Sequence, residues 1–214
     1  MDVSPDTVIV VAGGGSPHSA VELPDGAPVI AADEGVDRAL ALGLAVDVAV
    51  GDFDSVSGEG LAAAEAAGAR VERHAQAKDS TDLELALETA LTLAPRRILV
   101  LGGDGGRLDH LVAAVLGLTS EHLAGVEVDA HLGAAAVHVV RGERVLAGEK
   151  GETVTLLAAG GPAEGVTTEG LRFPLVDETL APGSSRGVSN VFAEPHARIS
   201  VRKGALLVIR PEAR

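Results

Sequence analysis

The feature that most restricts the fold is a change of rhythm near residue 134. Before it, apolar runs at 8–12, 29–32, 46–50, 98–101 and 126–132 alternate with segments of helical periodicity. Strands that apolar, each followed by a helix, belong to a mostly parallel sheet covered on both faces. After it, the runs at 136–140, 153–158, 166–168, 187–192, 199–201 and 205–209 are short and broken by glycine. That pattern suits antiparallel strands in a small sandwich or barrel. The expected fold class is therefore α/β. A doubly wound, mostly parallel N-terminal sheet domain (1–134) is followed by a small all-β sandwich domain (135–214), with the joint near Gly133.

Local signals refine this outline. Thr81 and Glu84 have capping-box spacing, and Leu83, Leu87, Ala90, Leu91 and Ala94 form one apolar stripe, which predicts a helix after Ser80. A second helix is expected over 108–123 with Leu108, Leu111, Val112, Val115 and Leu123 inward. Ser16-Pro17 reads as a cap followed by proline at the first helical position, and Gly43 and Gly68 as helix stops. Lys203-Gly204 reads as the tip of a closing hairpin, and Ala181-Pro182-Gly183 as a loop.

Charge narrows the choice of partner. Residues 1–134 hold 22 Asp and Glu against 7 Lys and Arg, whereas residues 135–214 hold 9 against 10. So acidic a first half argues against nucleic acid, whose phosphates demand clustered cations, and suits metal ions or a cationic small substrate. No apolar run approaches the ~20 residues that span a bilayer, and the N-terminus lacks the basic start of a secretory signal, so a cytoplasmic protein without a membrane partner is expected. The chain has no cysteine, which confines any metal to oxygen or histidine ligands.

The acidity is concentrated in three motifs, each just after a strand-like run, where open α/β sheets bind ligands. In Gly51-Asp52-Phe53-Asp54-Ser55 the two aspartates, two residues apart in an extended chain, face one side. They suit Mg²⁺, which takes one or two protein carboxylates and completes its shell with water and phosphate oxygens, or else an Asx-type turn. In Lys78-Asp79-Ser80-Thr81-Asp82-Leu83-Glu84, capping accounts for Thr81 and Glu84 but does not require Asp79 and Asp82. Lys78 reads as a phosphate contact or a solvated surface lysine. In Gly103-Asp104-Gly105-Gly106-Arg107, glycine lets backbone N–H groups approach phosphate and Arg107 supplies a guanidinium fork. Gly13-Gly14-Gly15-Ser16 is a weaker echo of that loop, and reads first as an ordinary turn.

Taken together and in order, these motifs resemble the thiamine pyrophosphokinase family. The resemblance extends to Ala32-Asp33 with Gly35, to Leu108-Asp109-His110, to Gly170-Leu171-Arg172-Phe173-Pro174-Leu175 and to Gly187-Val188-Ser189-Asn190, and so covers nearly the whole chain. The chain departs from the usual pattern at Glu34, Asp37 and Val46-Asp47. The resemblance implies a homodimer of two-domain subunits that transfers the diphosphoryl group of ATP to thiamine with Mg²⁺. It implies a metal at Asp33, Asp52, Asp54 and Asp79, and nucleotide contacts from Lys78, Thr81, Gly105, Gly106 and Arg107. It further implies substrate contacts from Asp82, Asp109, His110, Phe173, Ser189 and Asn190, with catalysis resting on Asp52, Asp54, Asp79 and Arg107. Phe173 would stack on a substrate ring or fill the core. The rivals are a pyrophosphokinase for another cyclic alcohol, such as a hydroxymethylpterin, and a noncatalytic sensor of thiamine or nucleotide.

Overall fold

The computed structural model describes residues 5–14, 21–76, 79–102 and 107–212. It divides into two compact units, one of Met1–Ala114 with Val128–Gly133, the other of Val115–Glu127 with Ala134–Arg214. The expected Ser16-Pro17 cap lies outside the described residues.

The first unit opens with β1 (Thr7–Val11), β2 (Val29–Ala32), α1 (Gly35–Ala41), β3 (Val48–Gly51), α2 (Gly58–Ala66), β4 (Arg70–Arg73), α3 (Asp82–Thr92) and β5 (Arg97–Leu101). The chain continues through α4 (Leu108–Gly117) and a 3₁₀ turn to β6 (Glu127–Leu132). The sheet order is β6-β5-β1-β2-β3-β4, and β5, β1, β2, β3 and β4 run parallel. Alternate strand residues face opposite sides. Ile9, Val11, Val29, Ala31, Leu99 and Leu101 pack on one side with Val36 and Ala39 of α1 and Ala64 of α2, while α3 crosses β1, β2 and β3. Gly43 and Gly68 stop α1 and α2 as expected, since each follows the C-cap with φ of +73° and +104°.

The chain steps outward from β1 to β4, returns through α3 to β5 on the far side of β1, and goes on to β6. Neighbouring strands β1 and β5 thus send their connections in opposite directions, and the crevice at their carboxyl ends is a topological switch point.

One strand of this unit was not expected and two expectations are corrected. β4 (Arg-Val-Glu-Arg) has no apolar run, because it is an edge strand with half-exposed or exposed residues throughout. Of the expected α3 stripe, Leu87 and Ala90 are buried, together with Ala86, and Leu83 and Leu91 are half-buried, but Ala94 lies beyond the helix, exposed, with φ +49°, ahead of Pro95. The second helix ends at Gly117 and buries none of its residues: Leu108, Val112 and Leu116 are 72%, 48% and 52% exposed, and Leu123 sits in the separate 3₁₀ turn.

The second unit contains β7 (Ala135–Ala147), β8 (Thr153–Glu169), β9 (Glu178–Leu180), β10 (Asn190–Val191) and β11 (His196–Arg210). The order is β10-β8-β11-β7, all antiparallel, with β9 added to β8. Its core includes Val140, Leu156, Leu175, Phe192, Ile199, Leu206 and Val208.

The expected short strands are here long strands bent in the middle. Runs 153–158 and 166–168 are the two halves of β8, and runs 199–201 and 205–209 the two halves of β11. The β8–β11 register shifts between Lys203 and Ala205, and the β7–β11 register between Val201 and Leu206. Such coincident bulges bend strands sharply. Lys203-Gly204 is therefore a bulge inside β11 and not a hairpin tip. Gly204 has φ +91°, and a Cβ there would stand 2.4 Å from the Pro162 carbonyl oxygen.

Candidate active site

One acidic residue from each of the first two motifs meets the aspartate that follows β2. Asp33 follows β2, Asp52 follows β3, and Asp82 opens α3. Carboxylate oxygens of all three lie within 4.8 Å of one another, each residue half-buried. Backbone geometry forces this meeting. Asp33 has φ +45°, with its N–H donating to the Val50 carbonyl at 2.9 Å. Gly51 has φ +153°, and a Cβ on it would lie 3.1 Å from Asp82 Oδ1 and 3.2 Å from Asp33 Cβ. Any other residue at 51 would be strained in this backbone conformation and would press on Asp82 and Asp33.

Three like charges this close, partly removed from water, make the ionised state costly. Burial first, then the neighbouring Asp82, push the Asp33 carboxyl above its ordinary range. Among the described residues, its buried Oδ1 has no hydrogen-bond partner. An orphaned acceptor beside two more carboxylates is the donor set of a hard, oxygen-seeking cation.

The rest of this motif is arranged differently. Asp54 is exposed; its Oδ2 accepts from Gln76 Nε2 and its Oδ1 from the Ser55 hydroxyl, both at 2.8 Å. The Asp54 N–H in turn donates to Asp52 Oδ1 at 3.2 Å. Asp79 is exposed and lies outside the close carboxylate group. Thr81 is the N-cap of α3, its hydroxyl accepting from the Glu84 N–H at 3.2 Å. Lys78, Gly105 and Gly106 fall outside the described residues.

Arg107 and Asp109 form an exposed two-pronged pair, Nε to Oδ1 at 3.2 Å and Nη2 to Oδ2 at 2.6 Å. The hydrogen bonds from Arg107 hold the Asp109 carboxyl down at about 2. His110 is exposed on the first turn of α4.

The departures from the family pattern all have local partners. Glu34 Oε2 accepts from the Gly14 N–H at 3.3 Å and its Oε1 pairs with Arg38. Asp37 accepts from the Ser57 N–H and hydroxyl at 2.7 and 2.6 Å, tying α1 to the cap of α2, and Asp47 Oδ2 accepts from the Val29 N–H at 2.8 Å.

In the second unit, Asn190 is buried and its side chain is spent on its neighbours. Its Oδ1 accepts from the N–H groups of Phe173 and Val191, and its Nδ2 donates to the Phe173 carbonyl at 2.7 Å. Phe173, so held, is 52% exposed, with the Arg172 guanidinium 5.6 Å from its ring centre. It is not a core residue. Ser189 is exposed, has φ +55°, and its N–H donates to the Thr155 hydroxyl.

An open parallel sheet with a carboxylate trio at its strand ends, followed by a β-rich unit, defines a class: two-unit α/β proteins with an acidic site at the carboxyl ends of the parallel strands. Comparison with known proteins narrows the class. The thiamin pyrophosphokinase catalytic domain matches residues 24–128, and the thiamin pyrophosphokinase vitamin B1 binding domain matches residues 137–206. The chain belongs to the thiamine pyrophosphokinase family. It is 28% identical over 187 residues to the thiamine pyrophosphokinase of Bacillus subtilis, covering 85% of this chain and 86% of that one. The crystal structure of thiamine pyrophosphokinase from Bacillus subtilis superposes with a TM-score of 0.83 at 26% identity, covering 97% of this chain and all of that one. A thiamin pyrophosphokinase family protein from Enterococcus faecalis gives 0.80 at 25%, covering 97% and 99%. The Candida albicans thiamin pyrophosphokinase, 14% identical with a TM-score of 0.76 over 96% and 88%, shares the fold.

Proposed function

We infer that this chain is a thiamine diphosphokinase, transferring the diphosphoryl group of ATP to the hydroxyl of thiamine to give thiamine diphosphate and AMP. The observation that carries this reading is the meeting of Asp33, Asp52 and Asp82 in a chain whose two halves match the family's catalytic and vitamin B1 binding domains in order. We assign the catalytic role to residues 1–134 and the thiamine-binding role to residues 135–214.

The carboxylate trio suits Mg²⁺, which would neutralise phosphate charge as it spreads during transfer. Asp33, Asp52 and Asp82 would hold it, with Asp54 and Asp79 as outlying acids of the same loops. The acidic surroundings also attract the fixed positive charge of the thiazolium ring. In the reaction the thiamine hydroxyl oxygen forms a bond to the β-phosphorus, the bond from that phosphorus to the α–β bridging oxygen breaks, and AMP departs with the bridging oxygen. The hydroxyl proton passes to a carboxylate. Lys78, Thr81, Gly105, Gly106 and Arg107 are assigned to the phosphates. Arg107 would exchange Asp109 for phosphate, trading one two-pronged pair for another. Phe173, Ser189, Asp109 and His110 are assigned to thiamine, with Asn190 fixing the Phe173 backbone.

The reading includes a homodimer. Leu108, Val112 and Leu116, spaced four apart on α4, form an exposed apolar stripe that a second copy would cover. Light scattering of Val112→Glu beside the unmodified protein tests this: the variant should shift toward monomer.

The decisive experiment incubates the protein with ATP, Mg²⁺ and either thiamine or a pterin alcohol, and resolves the nucleotides. AMP should form with thiamine and vanish when the metal is chelated. ADP with thiamine monophosphate would mean an ordinary kinase, AMP only with the pterin a different acceptor, and no turnover a binding protein.

A further inference from the structure

The first unit has few arginines, and all but one of them are committed. Of its six arginines, all described, Arg38 pairs with Glu34, Arg70 with Glu72, Arg96 with Asp6, Arg97 with Asp129 and Arg107 with Asp109. The sixth is Arg73, the last residue of β4. Among the described residues its guanidinium makes no hydrogen bond or ion pair, and the residue is exposed. What holds it is an aromatic face: its guanidinium carbon lies 5.0 Å from the centre of the Phe53 ring.

Phe53 is an unusual residue to find there. It sits between Asp52 and Asp54 with φ +61°, a left-handed conformation that a bulky side chain avoids. Such an outlier persists only where its surroundings compensate. The ring packs as a partly buried side chain against the core of the first unit, and Arg73 lies over it. Register adds a second tie, since Arg73 pairs with Gly51, one residue before Asp52, and the next N–H, of His74, donates to the Gly51 carbonyl at 2.9 Å. The strand ends that carry the metal-binding carboxylate and the unpaired guanidinium are thus locked side by side.

A guanidinium held over an aromatic ring meets no acceptor there, so its N–H groups stay available for two-pronged contact with an oxyanion. We propose that Arg73, held over the Phe53 ring, is a phosphate-binding residue that grips the triphosphate of the nucleotide from the β4 side of the site. This rests on the diphosphotransfer reading above. Phe53 is its positioning residue, so one motif supplies both a metal ligand and the platform for an arginine. A purely structural role would leave the stacked pair contributing to stability and nothing else.

The test measures binding of the non-cleavable analogue α,β-methylene-ATP by calorimetry in Mg²⁺, for the unmodified protein, Arg73→Gln, Arg73→Lys and Phe53→Leu. Melting temperature and Mg²⁺ affinity are recorded for each. Loss of a charged hydrogen-bond pair to phosphate predicts a ~10- to ~100-fold higher Kd for Arg73→Gln. Arg73→Lys should fall between, and Phe53→Leu should weaken the analogue several-fold with no further loss when combined with Arg73→Gln. Mg²⁺ affinity and KM for thiamine should stay unchanged in both Arg73 variants. An analogue Kd within twofold of the unmodified protein for Arg73→Gln, whether or not its melting temperature falls, overturns the proposal while leaving the family activity standing. Absence of both AMP formation and analogue binding in the unmodified protein removes the activity and this proposal together.

Discussion

Replacing Asp33 by Asn should make the metal-free protein more stable and the metal-loaded protein less so. Asp33 has two carboxylate neighbours, Asp52 and Asp82, with oxygens within 4.8 Å. At that separation two unit charges repel by ~1 kcal/mol in bulk water and ~3 kcal/mol at the effective dielectric of a protein surface. All three groups are partly solvated, so the lower figure applies, and the two pairs together cost ~2 kcal/mol. Asparagine tolerates the left-handed φ of position 33 and is nearly isosteric, so little is lost in exchange. For a chain of 214 residues this corresponds to a rise of ~4–8 °C in Tm. The effect has a defined pH window. Burial and then Asp82 raise the folded-state pKa above the unfolded value, so the native state binds the proton more tightly. The penalty is absent below the ordinary carboxylate range and grows as pH rises through the raised pKa. The advantage of Asp33→Asn should therefore be full once the pH is above the raised pKa and disappear in acid. With Mg²⁺ at ~100 times its Kd the unmodified protein gains ~2.7 kcal/mol, most of which the variant should forgo. Thermal melts by circular dichroism in EDTA and in Mg²⁺, at neutral and acidic pH, measure all of this. An Asp33→Asn variant that melts lower than the unmodified protein in EDTA, or gains equally from Mg²⁺, would refute the reading of a self-repelling metal site.

The two aspartates of the Gly51–Ser55 motif should separate in steady-state kinetics. Asp52→Asn should lower kcat by ~10²-fold or more, and Asp54→Asn, which also loses its acceptor role toward Gln76 and Ser55, by less; equal rates in both variants and the unmodified protein would exclude a metal role for either. Breaking the Arg107 pair should release Asp109. In Arg107→Gln its carboxyl should titrate near ~3.9 by NMR instead of at about 2, and the contribution lost is one present above the ordinary carboxylate pKa and removed as pH falls toward about 2. Gly204→Ala should destabilise the protein by at least ~2 kcal/mol in urea unfolding, since the new Cβ meets the Pro162 carbonyl at 2.4 Å in a backbone conformation alanine disfavours.

Much of the first unit was legible in the sequence because its strands are buried on both faces. Runs 29–32 and 98–101 lie within β2 and β5, and Gly43 and Gly68 mark the ends of α1 and α2. β4 was not legible, since an edge strand without a buried face leaves no apolar signature. The helix over 108–123 misled for the opposite reason: an apolar stripe reports that a face is to be covered, not that its own chain covers it. In the β-rich unit, glycines at bulges look the same as glycines at turns, so β8 and β11 each read as two strands.

At the site, the sequence alone determined the chemistry on offer: carboxylates after strand-like runs, oxygen or histidine as ligands, and no thiolate. Only the tertiary structure decided which carboxylates act together. Asp33, Asp52 and Asp82 stand far apart in the chain, and their meeting depends on the order β2-β3, on the return of α3 across those strands, and on the positive φ of Asp33 and Gly51. Sequence neighbours Asp52 and Asp54, by contrast, take different partners, because the left-handed turn at Phe53 breaks the alternation that an extended chain would impose. Residue type sets what a side chain can bind, and backbone path sets what it meets.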